Sequence, residues 1–370
     1  MLIKNADIFV GKGFTRGDIR FGETIEAIGH FEGPADLDGE GCYLIPGLVD
    51  IHTHGAMGED FSDGKRSGLP AMARYYAAHG VTSYLATTMT LKEPVLKTAM
   101  EVIRDFTRPE DGAKCAGVHL EGPFLGYKKR GAQAAENLNR PDPEMFRRLN
   151  EASGGQVKLV TVACEEEGGM EFIRQVSPVC AVSLGHSSAG YDTAMEGFQN
   201  GATHATHLFN GMDPLHHRNP GIIGAAFHAG ATVELICDGL HIHPEVIRMV
   251  HQLYGERLNL ISDSLRCAGM PDGDYELGGQ PITVKNGKAT LSGTDTLAGS
   301  SISVLDALRN VVKFGVPLAD AVYAATTAPA QAARLTDIGV LAPGKRADLL
   351  LLDRHLKLKA VFIDGKQLPV

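Results

Sequence analysis

The sequence predicts an α/β fold, a (β/α)8 TIM-type barrel, for two reasons. Eight apolar runs alternate with segments of helical character over residues 46–335, and most of these runs are apolar almost throughout. Such runs are typical of parallel strands buried on both faces, and eight of them favour a closed barrel over an open sheet. The length of 370 residues suits one large barrel with a smaller domain.

The eight predicted strands follow one another along the middle of the chain. They are CYLIPGLVDIHTHG, VTSYLATTM, AKCAGVHLEGP, VKLVTVACEE, CAVSLGHSS, ATHATHLFN, ATVELICDGLHI and LNLISDS. Residues 269–293 then resemble a β-hairpin insertion, because an Asn-Gly pair at 286–287 separates two β-type segments. Helices are predicted over 299–314 and 317–334.

Both ends of the chain are β-rich and differ from the middle. LIKNADIFV, DIRFG and TIEAIG near the N-terminus, and ADLLLLD and LKAVFIDGKQL near the C-terminus, show strand-type alternation broken by turn residues. We therefore predict one small β domain built from residues 1–45 and 336–370, with the barrel formed by residues 46–335.

Composition restricts the classes of partner. The formal net charge of −9 argues against a nucleic-acid surface, which needs a basic patch, although one or two local cations can still hold a phosphate. No segment reaches the ~20 apolar residues of a membrane span, and the N-terminus lacks the features of a signal peptide. The six scattered cysteines form no CxxC pair. We expect a cytoplasmic protein with reduced thiols that does not bind membranes.

Residues that commonly bind metals end five of the eight predicted strands. They are His52 and His54 in the first run, Glu121 in the third, His186 in the fifth, His207 in the sixth and Asp263 in the eighth. The carboxyl ends of all barrel strands meet at one mouth, so these side chains should converge. Residues two apart in a strand point to the same side, so both histidines of the first run can meet one ion. The nitrogen and oxygen donors suit Zn²⁺, Fe²⁺, Mn²⁺ or Co²⁺.

Signatures of several other enzyme classes are absent from the sequence. There is no HExxH, GxSxG, GxxxxGK[ST] or GxGxxG motif, which removes the common zincin, serine-hydrolase, P-loop and dinucleotide-binding interpretations. A non-catalytic barrel used in assembly is a further alternative, since a fold alone does not determine function. The intact set of metal-binding residue types argues against it.

The motifs PGLVDIHTHG, HLEGP, GHS, THLFN and SDS, in this order, resemble those of the amidohydrolase superfamily. HLEGPF, THLFNGM, HHRNPGIIGAA, DGLH and TLAGS are more specific, and they resemble the N-acetylglucosamine-6-phosphate deacetylase family over nearly the whole chain. The resemblance implies hydrolysis of N-acetyl-D-glucosamine 6-phosphate to D-glucosamine 6-phosphate and acetate, and a β-sandwich for the small domain. The alternative is another barrel amidohydrolase acting on a cyclic amide or a nucleobase, against which HLEGP and HHRNPG count.

The same resemblance implies a divalent metal centre. One ion would be bound by Glu121, His186 and His207. His52 and His54 resemble the ligands of a second ion, with Glu121 bridging and Asp263 nearby. Because some family members hold a single ion, we expect one or two per subunit, with Zn²⁺ or Fe²⁺ favoured over Mn²⁺ or Co²⁺. Asp263 is the predicted general base, which takes a proton from metal-activated water and returns it to the departing amine.

The resemblance also implies a substrate-binding set: Ala132, Gln133, Asn210, Gly211, Arg218, His241 and Leu297. Arg218 and His241 match phosphate-binding positions, and in the family this arginine reaches the neighbouring subunit's site, which implies a homodimer. Asn210–Gly211 matches further phosphate contacts, and Leu297 matches residues that line the acetyl group. Gln133 stands where a sugar-contacting histidine is often found, so the pattern differs here.

Overall fold

Two sheets, each of eight strands, organise residues 1–369, which are the residues described by the computed structural model. One sheet is parallel and closes into a barrel, and the other is mixed and combines both ends of the chain. The N-terminal strands are β1 (Leu2–Val10), β2 (Gly13–Phe21), β3 (Ile25–Gly29), β4 (Leu37–Asp38) and β5 (Tyr43–Pro46).

The barrel contains all eight predicted strands. They are β6 (Leu48–Thr53), β9 (Val81–Thr88), β10 (Lys114–Glu121), β11 (Val157–Val162), β12 (Ala181–Leu184), β13 (His204–Ala205), β14 (Thr232–Ile236) and β15 (Leu258–Ile261). Between β6 and β9 lies a short hairpin outside the barrel sheet, formed by β7 (Gly55–Ala56) and β8 (Glu59–Asp60). Neighbouring barrel strands are parallel and pair in chain order. The ring closes where the Asp263 N–H donates to the carbonyl of His52 at 2.9 Å, just beyond β15.

Ten α-helices accompany the strands within residues 1–369. They are α1 (Leu69–Ala78), α2 (Glu93–Arg104), α3 (Pro143–Ala152), α4 (Gly169–Val176), α5 (Tyr191–Gln199), α6 (Gly221–Ala229), α7 (Pro244–Tyr254), α8 (Val304–Lys313), α9 (Leu318–Ala325) and α10 (Thr327–Ala332). Their apolar faces bury against the barrel, as the helical spacing of Val304, Leu308 and Val311 in α8 illustrates. No helix among these residues is long and apolar enough to cross a membrane.

The two helices predicted after the eighth strand differ from the observed ones. The first begins at Val304 instead of residue 299, because residues before Ser303 extend beside the barrel and the Ser300 N–H donates to the Asp263 carbonyl at 2.6 Å. The second is two helices, since Thr326 has non-helical backbone angles (φ −133°, ψ −73°) and Pro329 lacks an N–H for the helical ladder.

The predicted insertion is a three-stranded antiparallel sheet. Its strands are β16 (Gly273–Leu277), β17 (Gln280–Lys285) and β18 (Lys288–Leu291). The turn between β17 and β18 is Asn286–Gly287, as predicted, and both residues have positive φ. The apolar side of this sheet packs on Met89 and Leu265, so the insertion lies at the mouth of the barrel.

The terminal sheet folds back on itself to form the predicted β-sandwich. Its C-terminal strands are β19 (Leu349–Leu352), β20 (Leu358–Ile363) and β21 (Lys366–Leu368), and β19 pairs with β5 to unite the two ends of the chain. The two halves meet where the Ile25 N–H donates to the Lys345 carbonyl at 2.8 Å and where Phe21 and Phe362 stack edge to face. The predicted division of the chain at residues 45/46 and 335/336 stays a prediction.

Candidate active site

The six predicted metal ligands converge at the carboxyl end of the barrel strands. His52 lies in β6, Glu121 ends β10, and each of the other four directly follows a barrel strand or lies within two residues of its end: His54, His186, His207 and Asp263. All six side chains are buried. Parallel strand ends share one rim of the barrel, which is why residues far apart in sequence meet here.

Glu121 lies at the centre of this group. Its Oε1 is 3.3 Å from His52 Nε2, 3.3 Å from His186 Nε2 and 3.0 Å from His207 Nε2. Its other oxygen, Oε2, is 3.2 Å from His54 Nε2. One carboxylate therefore contacts four imidazoles, as a ligand that bridges two ions would.

Asp263 lies on the side of the two β6 histidines. Its Oδ1 is 3.3 Å from His54 Nε2 and 3.5 Å from His52 Nε2. Its backbone has a positive φ of 47° and is held from both sides, because its N–H donates to the His52 carbonyl and its carbonyl accepts from the Ser300 N–H. The carboxylate is thus fixed at the edge of the cluster.

The donor set fits a divalent cation. His186 and His207 direct their Nε2 atoms at each other, 3.0 Å apart, while their Nδ1 atoms lie at hydrogen-bond distance from the carbonyls of Lys129 (2.8 Å) and Asn210 (3.1 Å). Within residues 1–369, His52 Nε2 is buried without a hydrogen-bond partner. Among the described residues, three groups of three donors lie close enough to bind an ion: His52/Glu121/His207, His52/His54/Asp263 and His52/His119/Glu234.

The electrostatics of the cluster also favour a cation. Burial disfavours charge on every member, yet the neighbouring carboxylates outweigh it and raise the pKa of His52 well above its usual range and that of His54 to about 9. Burial likewise opposes ionisation of Glu121 and Asp263, but the imidazoles hold the pKa of both carboxyls below the ordinary value. The carboxylates are therefore ionised, and their negative charge attracts a cation to the cluster.

Sequence reasoning missed three buried residues next to the ligands. Glu234 in β14 is hydrogen bonded to His52, and His204 in β13 is hydrogen bonded to Glu234. A signal was present, because ATVELICDGLHI contains a carboxylate inside an otherwise apolar strand, where an unpaired charge is costly. His119, also missed, is neutral, because burial and the nearby positive charge of His52 lower its pKa to about 3.

A cavity of about 190 Å³ opens beside Asp263 and Glu121. Six of the seven predicted substrate residues line it: Ala132, Gln133, Asn210, Gly211, His241 and Leu297. Apolar side chains that sequence reasoning did not select complete the wall, namely Met89, Leu265 and Leu277, the last from the β16–β18 insertion. Five of the six predicted metal ligands, all except His52, line the same cavity.

Arg218 is the predicted substrate residue that lies outside the cavity. It is exposed, and its Nη1 lies 2.7 Å from Nε2 of the adjacent His217. Within one chain it does not join the other candidate residues. Its predicted role in a neighbouring subunit's site stays a prediction.

Gln133 and His241 are held by specific hydrogen bonds. The Gln133 amide donates to Glu121 Oε2 at 3.0 Å and accepts from the Thr90 N–H at 2.8 Å, so its orientation is set by the chain. His241 Nδ1 lies 2.7 Å from Asp238 Oδ2. Burial opposes protonation of His241, but the Asp238 contact outweighs it and raises the pKa of the imidazole. His241, which lines the cavity, therefore keeps its proton to a higher pH than an ordinary histidine does.

Comparison with known proteins agrees with this fold. Residues 43–368 match the amidohydrolase family. An N-acetylglucosamine-6-phosphate deacetylase from Lysinibacillus sphaericus is 36% identical over 342 residues, which cover 91% of this chain and 88% of that relative. An N-acetylgalactosamine-6-phosphate deacetylase from Escherichia coli O157:H7 is 36% identical over 329 residues, or 87% of each chain.

A solved structure shows the same similarity in three dimensions. A mutant N-acetyl-D-glucosamine-6-phosphate deacetylase from Mycobacterium smegmatis, in complex with N-acetyl-D-glucosamine-6-phosphate, superposes with a TM-score of 0.94 at 34% identity, covering 99% of this chain and 98% of that one. The chain belongs to the amidohydrolase family and, within it, to the N-acetylglucosamine-6-phosphate deacetylases. It is therefore a hydrolase, and the family implies a divalent metal, for which the His/Glu/Asp clusters are suited.

Proposed function

We propose that this chain hydrolyses N-acetyl-D-glucosamine 6-phosphate to D-glucosamine 6-phosphate and acetate. The main support is one cavity that combines the metal-binding cluster, the cationic His241 and the apolar Leu297. These three features suit the amide, the phosphate and the acetyl methyl of such a substrate. The names of the relatives agree with this assignment.

The proposed metal centre holds one or two ions, with Zn²⁺ or Fe²⁺ favoured over Mn²⁺ or Co²⁺. Its ligands would be His52, His54, Glu121, His186, His207 and Asp263. When bound, such an ion polarises an amide carbonyl and lowers the pKa of water to about 7. His52 and His54, whose Nε2 atoms lie 3.5 and 3.3 Å from Asp263 Oδ1, also help to fix the position of Asp263.

Asp263 is the proposed general base and acid. Its lowered pKa leaves the carboxylate ionised at neutral pH, so it can accept a proton from the attacking water. The same oxygen can then deliver that proton to the departing amine nitrogen. This proton transfer requires the fixed backbone at Asp263, because a displaced carboxylate would lose alignment with the reacting atoms.

Substrate orientation is proposed to depend on the phosphate. His241, with Asn210 and Gly211, would bind it within the chain. In a homodimer, Arg218 would reach it from the neighbouring subunit, which the exposure of Arg218 outside its own cavity supports. Binding energy gained at the phosphate would hold the amide in place for reaction.

We further propose a cytoplasmic location. All six cysteines are unpaired, and burial raises the pKa of Cys164, Cys180 and Cys237, so these thiols are poor nucleophiles. Unpaired thiols are usual in a reducing compartment.

The test is acetate release from N-acetylglucosamine 6-phosphate and from N-acetylglucosamine, on protein whose metal content has been measured. We expect strong preference for the phosphorylated sugar, abolished by chelation. Asp263→Asn should lower kcat by roughly 10²–10⁴-fold, the usual contribution of a general acid–base group. Asp192→Asn, at an exposed aspartate of α5, is the matched control and should remain active.

Two results would contradict the proposal. Equal rates on both sugars would remove the phosphate site, and no rate on either sugar with metal bound would assign the site to another amide. N-acetylgalactosamine 6-phosphate is the second candidate substrate, because the Escherichia coli relative carries that name. Comparing kcat/KM for the two phosphorylated sugars decides between them.

A further inference from the structure

A buried carboxylate lies directly beneath the candidate metal ligands. Glu234 is in the middle of β14, and it is 0% exposed. Its two neighbours on the strand, Val233 and Leu235, are apolar and also buried. A charged group at this depth is unfavourable unless its hydrogen-bonding capacity is satisfied, so its contacts indicate why it is tolerated.

Both oxygens of Glu234 have partners. Oε2 lies 2.8 Å from His52 Nδ1 and accepts from the His207 N–H at 3.1 Å. Oε1 lies 3.1 Å from His204 Nε2, and His204 is in turn hydrogen bonded through Nδ1 to the Thr232 hydroxyl. The carboxylate is thus fixed by three strands, β6, β13 and β14.

These contacts determine the protonation of His52. An ionised carboxylate only accepts hydrogen bonds, so His52 Nδ1 must bear a proton. In neutral His52, the form in which an imidazole binds a metal, the lone pair would then be on Nε2, which faces Glu121 and Asp263 at 3.3 and 3.5 Å. Within residues 1–369 this nitrogen has no hydrogen-bond partner, as expected of an atom that binds a metal.

The other three imidazoles are oriented differently. His186 and His207 lie at hydrogen-bond distance from backbone carbonyls, and His54 Nδ1 has no partner among the described residues. Glu234 therefore adds a negative charge behind the ring of one ligand, His52, which belongs both to the group His52/His54/Asp263 and to the group His52/Glu121/His207. It touches His207 only through the backbone N–H of that residue, and not through its imidazole. A negative charge behind His52 strengthens attraction for a cation bound by His52 and makes the imidazole a stronger donor.

We propose that Glu234 is the positioning residue on which binding of an ion by His52, His54 and Asp263 depends, whereas the ion at Glu121, His186 and His207 binds without it. This inference rests on the metal centre of the proposed function. It concerns metal occupancy alone, so its test needs no substrate.

The test uses Glu234→Gln, which removes the charge and keeps nearly the same shape. The full-length chain is stripped of metal, titrated with Co²⁺ by visible absorption, and analysed for bound metal per chain. We expect the wild type to bind two ions and the variant to bind the second one 10–100-fold more weakly, the usual effect of losing a partner behind a ligand. The first ion should bind with unchanged affinity.

Asp18→Asn is the matched control. Asp18 is a buried carboxylate of the β-sandwich that accepts from the Asn5 and Phe31 N–H groups, far from the barrel mouth. This variant should keep both ions. Unchanged affinity in Glu234→Gln, or a wild type that binds a single ion, would overturn the proposal. Neither result depends on which amide the enzyme hydrolyses.

A second measurement covers the case in which Glu234→Gln does not fold. The Zn²⁺-loaded wild type should show a downfield ring N–H proton resonance from His52 Nδ1, identified by its loss in His52→Asn. Protection of this proton from exchange is expected because Nδ1 is buried against Glu234. Absence of the resonance from the loaded chain would overturn the proposal.

Discussion

At the residue scale, His241 shows how one neighbour sets the charge of a candidate substrate contact. Its imidazole is nearly buried between Asp238 and the Ala298 carbonyl, where burial alone would lower the pKa. The Asp238 contact, with a smaller contribution from Asp263, outweighs burial and raises the pKa of His241. The imidazolium that would bind a phosphate is therefore present below this raised pKa and is lost as the pH increases through it.

This charge predicts how KM depends on pH. For the phosphorylated sugar, KM of the wild type should stay low past pH 6.5, the ordinary histidine pKa, and increase only at higher pH. Asp238→Asn removes the contact that raises the pKa, so the increase should begin at lower pH. The phosphate ionises identically in both assays, so the difference between the two profiles reports His241. Superimposable profiles would rule out a charged His241 in the phosphate site.

At the scale of elements, the segment between β18 and α8 holds Asp263, the proposed general base. A Cβ atom added at Gly299 would lie 2.4 Å from the Asp263 carbonyl oxygen and 3.0 Å from its Oδ1. Gly299→Ala should therefore displace Asp263 and lower kcat by roughly 10–100-fold, since misplacement of about 1 Å can cost that much. Circular dichroism should be unchanged, and bound metal is measured alongside kcat because Asp263 is also a proposed ligand.

The control for this variant is Gly190→Ala. Gly190 precedes α5 with an ordinary φ of −69°, and a Cβ atom there meets nothing within 4 Å. That variant should keep wild-type kcat. If Gly299→Ala is equally active, the barrel mouth can shift without moving the carboxylate, and the close approach has no catalytic consequence.

The start of α8 depends on a local capping interaction. The Ser303 hydroxyl accepts from the Asp306 N–H at 3.2 Å, and the Asp306 carboxylate accepts from the Ser303 N–H at 3.1 Å. Ser303→Ala should lower the free energy of unfolding by about 1 kcal/mol, measured by urea denaturation. Ser303→Thr keeps the hydroxyl and should remain close to the wild type. Equal losses in both variants would indicate a packing effect.

At the scale of the whole molecule, the proposed homodimer can be tested by complementation. Arg218→Ala and Asp263→Asn should each be nearly inactive alone on the phosphorylated sugar. In a mixed dimer, one site has an intact Asp263 together with Arg218 from the other subunit. Random 1:1 co-assembly should therefore restore about a quarter of wild-type activity, because half the dimers are mixed and each has one complete site. No recovery, with mixed dimers confirmed by mass, would exclude a shared site.

The sequence by itself determined the barrel, the β-sandwich and the meeting of the candidate ligands. Burial of the barrel strands on both faces leaves near-continuous apolar runs, and polar residues at strand ends must share one rim once the barrel closes. Gln133 and Leu297 were assigned from motif resemblance, and both line the cavity. The roles of these residues stay predictions.

Only the tertiary structure decided which groups orient the candidate site residues. The contacts of Glu234 with His52 and His204, and of Gln133 with Glu121, join residues from separate strands and loops. Such contacts depend on the stagger of neighbouring strands and on loop paths, which leave no local signal beyond one carboxylate in an apolar strand. The placement of Leu277 in the cavity wall and of Arg218 outside it has the same cause, since each follows from how a long loop packs against the barrel.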